Sequence, residues 1–296
     1  MNVRHAQAIQ KFLDSQNAKP RHNNSAAACS GSPDTDIDAK VSYALKITRS
    51  YLNHFLSQGI DVHGKNILEI GPGTNFGTMF LLKSLGAKHV AVADRFLADY
   101  DIGFHPIFYE KLLNKAAEEF PEASTEILQK AAQNRSHVLE DFSSYKCGLE
   151  DLAPVPDNSF DIVVSNAVLE HLHDPALAFA ELARVTKTGG YGFHQVDFRN
   201  HDDFSHPLEF LLLPDDERDS LLVLANSLGN GWRAGEYASL FEHNGFSVEN
   251  LRPSMLAEAE YFSRFMPRLK ASGSRYATFT EDELRIISAH FTVKKI

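Results

Sequence analysis

The sequence predicts an α/β fold with a parallel sheet at its centre. Short apolar runs typical of buried strands alternate along the chain with segments in which apolar residues recur at helical spacing. The first two runs, residues 66–71 and 89–94, are separated by a single helical segment at residues 77–85. A strand, a helix and a strand in this order form a right-handed parallel unit, so we expect a doubly wound sheet with helices on both faces.

Two further features flank this unit. Before it, apolar residues between positions 41 and 56 recur at helical spacing and predict an amphipathic helix that packs against the core. After it, residues 95–144 are long for one crossover, and their helical patterns break at Pro121. We therefore expect two helices there, together with an added surface element that caps the domain.

A third buried run, residues 160–165, leads into a helix whose start carries Asp174 and Pro175. Aspartate is a favoured N-cap and proline is favoured in the first turn. We expect Gly189 and Gly190 to end this helix. The elements that follow are, in chain order, a strand at 191–197, an insertion at 198–232, a helix at 235–244, a strand at 246–251, a cap insertion at 252–284 and a closing edge strand at 285–294.

Length and composition favour one domain. The chain has 296 residues, 43% of them hydrophobic, which suffices for one large core with modest caps. Residues 1–40 are mostly polar and include a stretch of small and turn-forming residues. We therefore expect a flexible N-terminal arm followed by a single domain at residues 41–296.

Composition also narrows the class of protein. The net charge of −10 opposes a broad nucleic-acid-binding surface. The N-terminus lacks the apolar core of a signal peptide, and no run approaches the length of a membrane span, so we expect a cytoplasmic protein that does not bind membranes. Cys29 and Cys147 lie in dissimilar contexts and no zinc-ligand spacing appears, so we predict neither a disulfide nor a metal site.

The sharpest functional motif follows the first strand, in the segment LEIGPGTNFG at residues 68–77. Gly71 and Gly73 allow the backbone to approach a ligand closely just before a helix N-terminus. A dinucleotide-binding turn would carry a third glycine where this chain has Phe76, and Glu69 would repel a pyrophosphate. A cofactor with a sulfonium and an ammonium group suits Glu69 better, which leaves a nicotinamide-dependent dehydrogenase as a weaker alternative.

Residues 69–73, with the sequence EIGPG, resemble the first motif of the class I S-adenosylmethionine-dependent methyltransferases. The similarity extends over about residues 64–196. This resemblance implies S-adenosylmethionine as the cofactor. It also implies a Rossmann-like fold with a seven-stranded mixed sheet whose last strand is antiparallel, together with helical cap insertions.

The same resemblance assigns four cofactor-binding residues beyond the first motif. Asp94, at the tip of the second strand, matches the acidic position that pairs with the ribose hydroxyls in this family. Leu149 and Glu150 lie in the stretch that meets the adenine, although Gly148 stands where an aspartate is common, and Glu150 also suits a solvated surface. Asn166 lies where the fourth strand opens onto the methionine end of the cofactor, but asparagine also caps turns.

Methyl transfer depends mainly on alignment, and a general base helps only where the acceptor must lose a proton. Candidates for such a base are His171, in an element that resembles the LEH motif of small-molecule family members, and Asp197, His194 and His201 on or after the fifth strand. Open α/β sheets bind ligands at this edge. Each histidine also has an ordinary structural interpretation, because the chain contains 14 of them.

The resulting hypothesis is S-adenosylmethionine-dependent methyl transfer to an oxygen or nitrogen of a small molecule, such as a metabolite, a natural-product intermediate or a sugar. The long caps suit an enclosed acceptor, and the acidic composition does not favour a polyanion. Two alternatives stay open. One is a methyltransferase that acts on a protein or glycan through an open groove, and the other is a cofactor-binding protein of the same fold without catalytic activity.

Overall fold

The computed structural model describes residues 36–134, 136–137, 139–224 and 228–296. The flexible arm predicted at residues 1–40, which includes Cys29, lies outside the described residues up to position 35. None of the helices in the described ranges combines the length and the apolar character that crossing a bilayer demands.

Within the described part of the chain, seven strands form one mixed sheet in the order β3-β2-β1-β4-β5-β7-β6. The first five strands are mutually parallel, and β7 runs antiparallel to both of its neighbours. The predicted seven-stranded sheet with an antiparallel last strand is therefore confirmed. The strands are β1 (Asn66–Ile70), β2 (His89–Ala93), β3 (Phe142–Tyr145), β4 (Phe160–Asn166), β5 (Thr186–Asp197), β6 (Phe246–Leu256) and β7 (Ile286–Lys295).

Helices cover both faces of the sheet. In the described ranges they are α1 (Ile37–Ser57), α2 (Gly77–Ser84), α3 (His105–Glu119), α4 (Glu126–Gln133), α5 (Pro175–Val185), α6 (Asp215–Leu224), α7 (Ala234–His243), α8 (Ala259–Lys270) and α9 (Glu281–Arg285). Helices α1 to α4 share one buried apolar cluster with Ile67 of β1, whereas α5 and α7 share another with Leu68 and Ile70. Neighbouring residues of a strand face opposite sides, so β1 contributes to both cores.

A third apolar cluster holds the late insertions together. It contains Leu221 of α6, Phe265 and Leu269 of α8, and Leu284 of α9, all of them buried. The third cluster and the insertions around it form a cap, and the fully buried Arg233 connects this cap to the sheet. Its guanidinium donates to the carbonyl oxygens of Leu284 in α9, Ile286 at the start of β7 and Phe198 directly after β5. The cap therefore fixes the segment that leaves β5.

The helix that begins at Pro175 ends earlier than the sequence suggested. Asp174 caps it as expected, with Oδ1 accepting from the Leu177 N–H at 3.0 Å, but α5 stops at Val185. Gly189 and Gly190, expected to end this helix, lie inside β5 instead. Gly190 is needed there because a Cβ would come within 2.8 Å of the Lys187 carbonyl oxygen and 3.0 Å of that of Asp161.

Two strands also differ from their predicted positions. The segment predicted as a closing edge strand is β7, which pairs on both sides, and β6 forms the edge. The buried residues Ile287, Ala289, Phe291 and Val293 explain why β7 lies inside the sheet. Strand β3 begins inside the insertion predicted at residues 95–144 and ends one residue beyond it, and its sequence FSSY lacks the apolar character of a central strand. Parallel pairing with β2 places it at the other edge.

Candidate functional site

A cavity of about 560 Å³ opens at the carboxyl ends of the parallel strands. Such a volume lies within the ~300–1,000 Å³ typical of small-molecule sites. The residues predicted to hold a cofactor all line it: Glu69, Gly71, Gly73, Asp94, Leu149, Glu150 and Asn166. The topology thus gathers into one space residues that are scattered over about a hundred positions of sequence.

The turn after β1 is shaped by two glycines. Gly71 and Gly73 have φ values of +70° and +74°, in the left-handed region that favours glycine. A Cβ on Gly71 would lie 2.4 Å from Cγ2 of Val168, in the segment after β4, whereas one on Gly73 would meet no atom within 4 Å. Ala167, next to Val168, also has a positive φ of 55°. The two segments therefore meet closely, and Gly73 leaves its side of the turn open.

Two neighbouring elements support this turn from outside. The Lys40 ammonium on α1 donates to Thr74 Oγ1 at 3.3 Å. His105, at the start of α3, accepts the Asp101 N–H on Nδ1 at 2.7 Å, so its Nε2 donates to the Thr74 carbonyl oxygen at 2.9 Å. Burial lowers the pKa of His105, which keeps the ring in this neutral form. The turn is held in place by its surroundings as well as by its glycines.

Glu69 presents an unusual carboxyl group at the end of β1. Its exposed fraction is 5%, and the contact recorded for its side chain is a long one, 3.5 Å, from the Tyr51 hydroxyl to Oε1. Burial raises the pKa of Glu69 to about 8. A buried carboxyl that has no cationic partner within the described ranges favours a ligand that brings positive charge, and the ammonium and sulfonium of S-adenosylmethionine fit this requirement.

Asp94 follows β2 and also faces the cavity. Its Oδ1 accepts the Phe96 N–H at 2.7 Å, and its own N–H donates to the Tyr145 carbonyl oxygen at 3.1 Å. These bonds fix the orientation of the carboxylate at the end of the strand. A carboxylate held in this way suits two neighbouring hydroxyl groups, such as those of a ribose.

Position 148 is glycine where an aspartate is common in the class I methyltransferases, and in the structure another side chain occupies the space. A Cβ at Gly148 would lie 3.1 Å from Nε and from Nη2 of Arg95, so the arginine occupies the space where an aspartate would project. Arg95 pairs with Glu150 at 3.2 Å, and Glu150 Oε1 accepts the His173 N–H at 3.0 Å. A cofactor contact of Glu150 would compete with these partners. Arg95 was not predicted from the sequence, although its position directly after Asp94 could have indicated it.

Helix α1 covers part of the cavity, with Tyr43, Ala44 and Ile47 in its lining. The Tyr43 hydroxyl accepts a hydrogen bond from Asn166 Nδ2 at 2.8 Å. This bond joins α1 to the end of β4 beside the cavity. The helical pattern predicted that α1 packs on the core, but it could not show that Tyr43 belongs to the site.

The structure separates the three candidate histidines. His171 and His201 both line the cavity, and their ring centroids lie 5.0 Å apart in an edge-to-face arrangement. His194 does not line this cavity, because its ring is buried between Ser165, whose Oγ lies 2.8 Å from Nδ1, and Phe241. Burial lowers the pKa of His194 to about 3, so the ring is neutral.

Asn230 holds the segment that carries His171 in place through hydrogen bonds to its backbone. Its Nδ2 donates to the carbonyl oxygens of Leu169 and Leu172 at 2.9 and 3.3 Å, and its Oδ1 accepts from the Trp232 N–H and the Tyr237 hydroxyl. All four hydrogen-bonding positions of the amide are used. The candidate site is therefore built on a rigid segment.

Comparisons with known proteins agree with this geometry. Residues 116–193 match the family model described as "Methyltransferase domain". An uncharacterized methyltransferase of Schizosaccharomyces pombe is 38% identical over 114 residues, which are 35% of this chain and 40% of the yeast protein. The alignment thus spans less than half the length of that relative.

Two solved structures are similar at low identity. A protein of Galdieria sulphuraria, described as a candidate sarcosine dimethylglycine methyltransferase, is 16% identical, with 85% of this chain and 86% of that chain covered and a TM-score of 0.47. An S-adenosylmethionine dependent methyltransferase of Mesorhizobium loti is 15% identical, with 88% and 100% covered and a TM-score of 0.45.

Residues 116–193 match a methyltransferase domain, and the strand order and the motif after β1 agree with the class I resemblance. The resemblance seen in the sequence is thereby confirmed, and S-adenosylmethionine is the cofactor that such a domain uses. The buried carboxyl of Glu69, the oriented carboxylate of Asp94 and the open space beside Gly73 fit this cofactor.

The close approach of Gly71 to Val168 leads us to expect a loss of stability when a side chain is added at position 71. Gly71→Ala adds a methyl group in a left-handed backbone conformation and against Val168, so we expect it to lower the free energy of unfolding by about 2 kcal/mol or more. Urea unfolding measures this change.

The matched control is Gly59→Ala, because Gly59 has a similar φ of +66° but open space around its Cβ position. That variant should lose only about 1 kcal/mol. Equal losses in the two variants would show that the contact with Val168 is unimportant.

Proposed function

We propose that this protein transfers the methyl group of S-adenosylmethionine to an oxygen or nitrogen atom of a small-molecule acceptor. One observation carries the proposal. The cavity that contains the predicted cofactor residues is also lined by Tyr43, His171 and His201, whose polar side chains suit an acceptor. Cofactor and acceptor would then share one space, as a direct displacement requires.

Each cofactor residue has a defined task in this proposal. Gly71 and Gly73 let the backbone approach the ligand, Glu69 offsets the positive charge, and Asp94 accepts hydrogen bonds from the ribose hydroxyls. The cofactor supplies an electrophilic methyl group. Orientation of the acceptor within this space is worth up to ~7–11 kcal/mol of the barrier, which exceeds the contribution of any base.

A general base is needed only when the acceptor loses its proton during transfer, and it adds ~10²–10⁴-fold. His201 and His171 are the candidates that reach the cavity. Asp197 is a weaker candidate because Arg199 holds both of its carboxylate oxygens, at 2.8 and 2.6 Å. His194 would have no route to an acceptor in this cavity.

A small acceptor is favoured over a macromolecule by the site and by the charge. The cavity lies beneath α1, and the chain carries a net charge of −10, which disfavours polyanions such as nucleic acid. A single domain at residues 41–296, a cytoplasmic location and the absence of membrane binding stay predictions. A protein or glycan acceptor and a non-catalytic binding role are the alternatives that an experiment must separate.

Transfer can be followed with methyl-labelled S-adenosylmethionine. The purified protein is incubated with label and a whole-cell extract, which is then separated into a small-molecule filtrate and a macromolecular fraction. We expect enzyme-dependent label in the filtrate beyond the cofactor and its breakdown products, and none with Gly73→Arg, whose side chain would project into the open space beside the turn.

The other outcomes decide between the alternatives. Label that appears only in protein or glycan would replace the small-molecule proposal by the macromolecular one. Cofactor binding without transfer to either fraction would favour a non-catalytic protein.

The buried carboxyl of Glu69 predicts a pH dependence of cofactor binding. The pKa of about 8 means that Glu69 is protonated at neutral pH in the free protein. A cationic ligand favours the ionised form, so binding releases a proton, and affinity should rise as the pH rises from about 6 to about 8, by at most tenfold per pH unit.

Isothermal titration in buffers of different ionisation enthalpy counts the released protons. Glu69→Gln has no proton to release at this position, so it should bind more weakly at about pH 8 and show a flatter profile. The same slope and the same proton release in Glu69→Gln would contradict the role assigned to Glu69.

A further inference from the structure

Three side chains beside the cavity form a compact group that the cofactor site does not use. Glu170, His171 and His201 each offer one atom able to bind a metal ion, and these atoms lie within 4.8 Å of one another. His171 and His201 line the cavity, whereas Glu170 is buried, with an exposed fraction of 2%. The group contains two imidazoles and one carboxylate.

Two polar atoms of this group lack a hydrogen-bond partner among the described residues. Oε1 of Glu170 accepts the Asp197 N–H at 3.2 Å, but Oε2 is buried without a partner. Nε2 of His201 is also buried and unpartnered, with Asp197 Oδ2 at 3.8 Å, too far for a hydrogen bond. A buried polar atom left unsatisfied costs ~1–3 kcal/mol, so both atoms favour a group that would bind them.

The three residues are held by two well-anchored segments. Glu170 and His171 lie in a short 3₁₀ turn after β4, where the Asn230 N–H donates to the Glu170 carbonyl oxygen at 2.6 Å. His201 lies after β5, in the segment that the buried Arg233 contacts at Phe198. Anchored backbone segments of this kind support the ligands of a metal site.

We propose that Glu170, His171 and His201 bind one divalent transition-metal ion of the zinc or iron(II) class beside the cofactor cavity. Imidazole and carboxylate together suit such ions, whereas magnesium and calcium prefer ligand sets made of oxygen alone. Three ligand atoms at ~2.1 Å from one ion lie roughly 3.0–3.4 Å from one another. The three atoms now lie within 4.8 Å of one another, so side-chain movements of about 1 to 2 Å would bring them to the spacing that an ion requires.

The ion would also change the role of the two histidines. As ligands, His171 and His201 would not serve as general bases. Three protein ligands leave coordination positions open, as in catalytic metal sites, and the two imidazoles place those positions next to the cavity. An oxygen-bearing small molecule is the class of ligand that would occupy them.

No metal site was predicted from the sequence, because it lacks the closely spaced cysteines and histidines of a zinc motif. The ligands proposed here come from segments after two different strands, β4 and β5. Only the pairing of β4 with β5 brings these segments to the same edge of the sheet.

The test uses the untagged full chain, stripped of metal with a chelator, without cofactor or acceptor. Addition of Co²⁺ is followed by its visible d–d absorption, and Zn²⁺ binding is measured by isothermal titration. We expect one ion per chain, with Zn²⁺ displacing Co²⁺. Because neither S-adenosylmethionine nor methyl transfer enters the measurement, its result is independent of the proposed function.

Two variants and one control locate the ion. His201→Ala and Glu170→Gln should each weaken binding at least tenfold, and Glu170→Gln keeps the shape of the side chain, so that thermal unfolding can show that the fold persists. His173→Ala removes a cavity histidine outside the group and should bind as the unaltered chain does. Absence of stoichiometric binding, or unchanged binding in both His201→Ala and Glu170→Gln, would overturn the proposal.

Discussion

The contact between Gly71 and Val168 sets the shape of the site. It joins the turn after β1 to the segment after β4, at the point where the strand order of the sheet reverses. No side chain fits at position 71, so the backbone of the first motif lies directly against its neighbour and turns outward at Gly73. The cavity is the space that these two segments, the end of β2 and helix α1 leave between them.

Buried acidic groups give this space its electrostatic character. Burial raises the pKa of both Glu69 and Glu170 to about 8, and neither carboxyl has a basic side chain as a hydrogen-bond partner in the part of the chain that the structure describes. Such carboxyl groups are stable in the protonated, neutral form, and a bound cation favours their ionised form. Glu69 suits the positive charge of the cofactor, and Glu170 suits a metal ion, so two cations of different chemistry would complete the site.

Much of the architecture could be predicted from the sequence, because strand motifs and the glycine turn act locally. The alternation of strands and helices, the antiparallel last strand implied by the family resemblance, and the cavity position of Asp94 all agree with the structure. Strand β3 was not predicted because its sequence is polar and its position in the sheet depends on pairing with β2. Arg95 and the proximity of Glu170 to His201 depend on contacts between distant segments, which no local pattern records.

The roles assigned to the residues of this cavity all depend on its binding S-adenosylmethionine. Isothermal titration with S-adenosylmethionine, S-adenosylhomocysteine and NAD, on the unaltered chain and on Asp94→Ala, tests it most directly. We expect the first two ligands to bind and NAD not to bind, and we expect the loss of the charge-assisted hydrogen bonds in Asp94→Ala to weaken binding by about tenfold or more. Binding of NAD alone, or of none of the three, would contradict it.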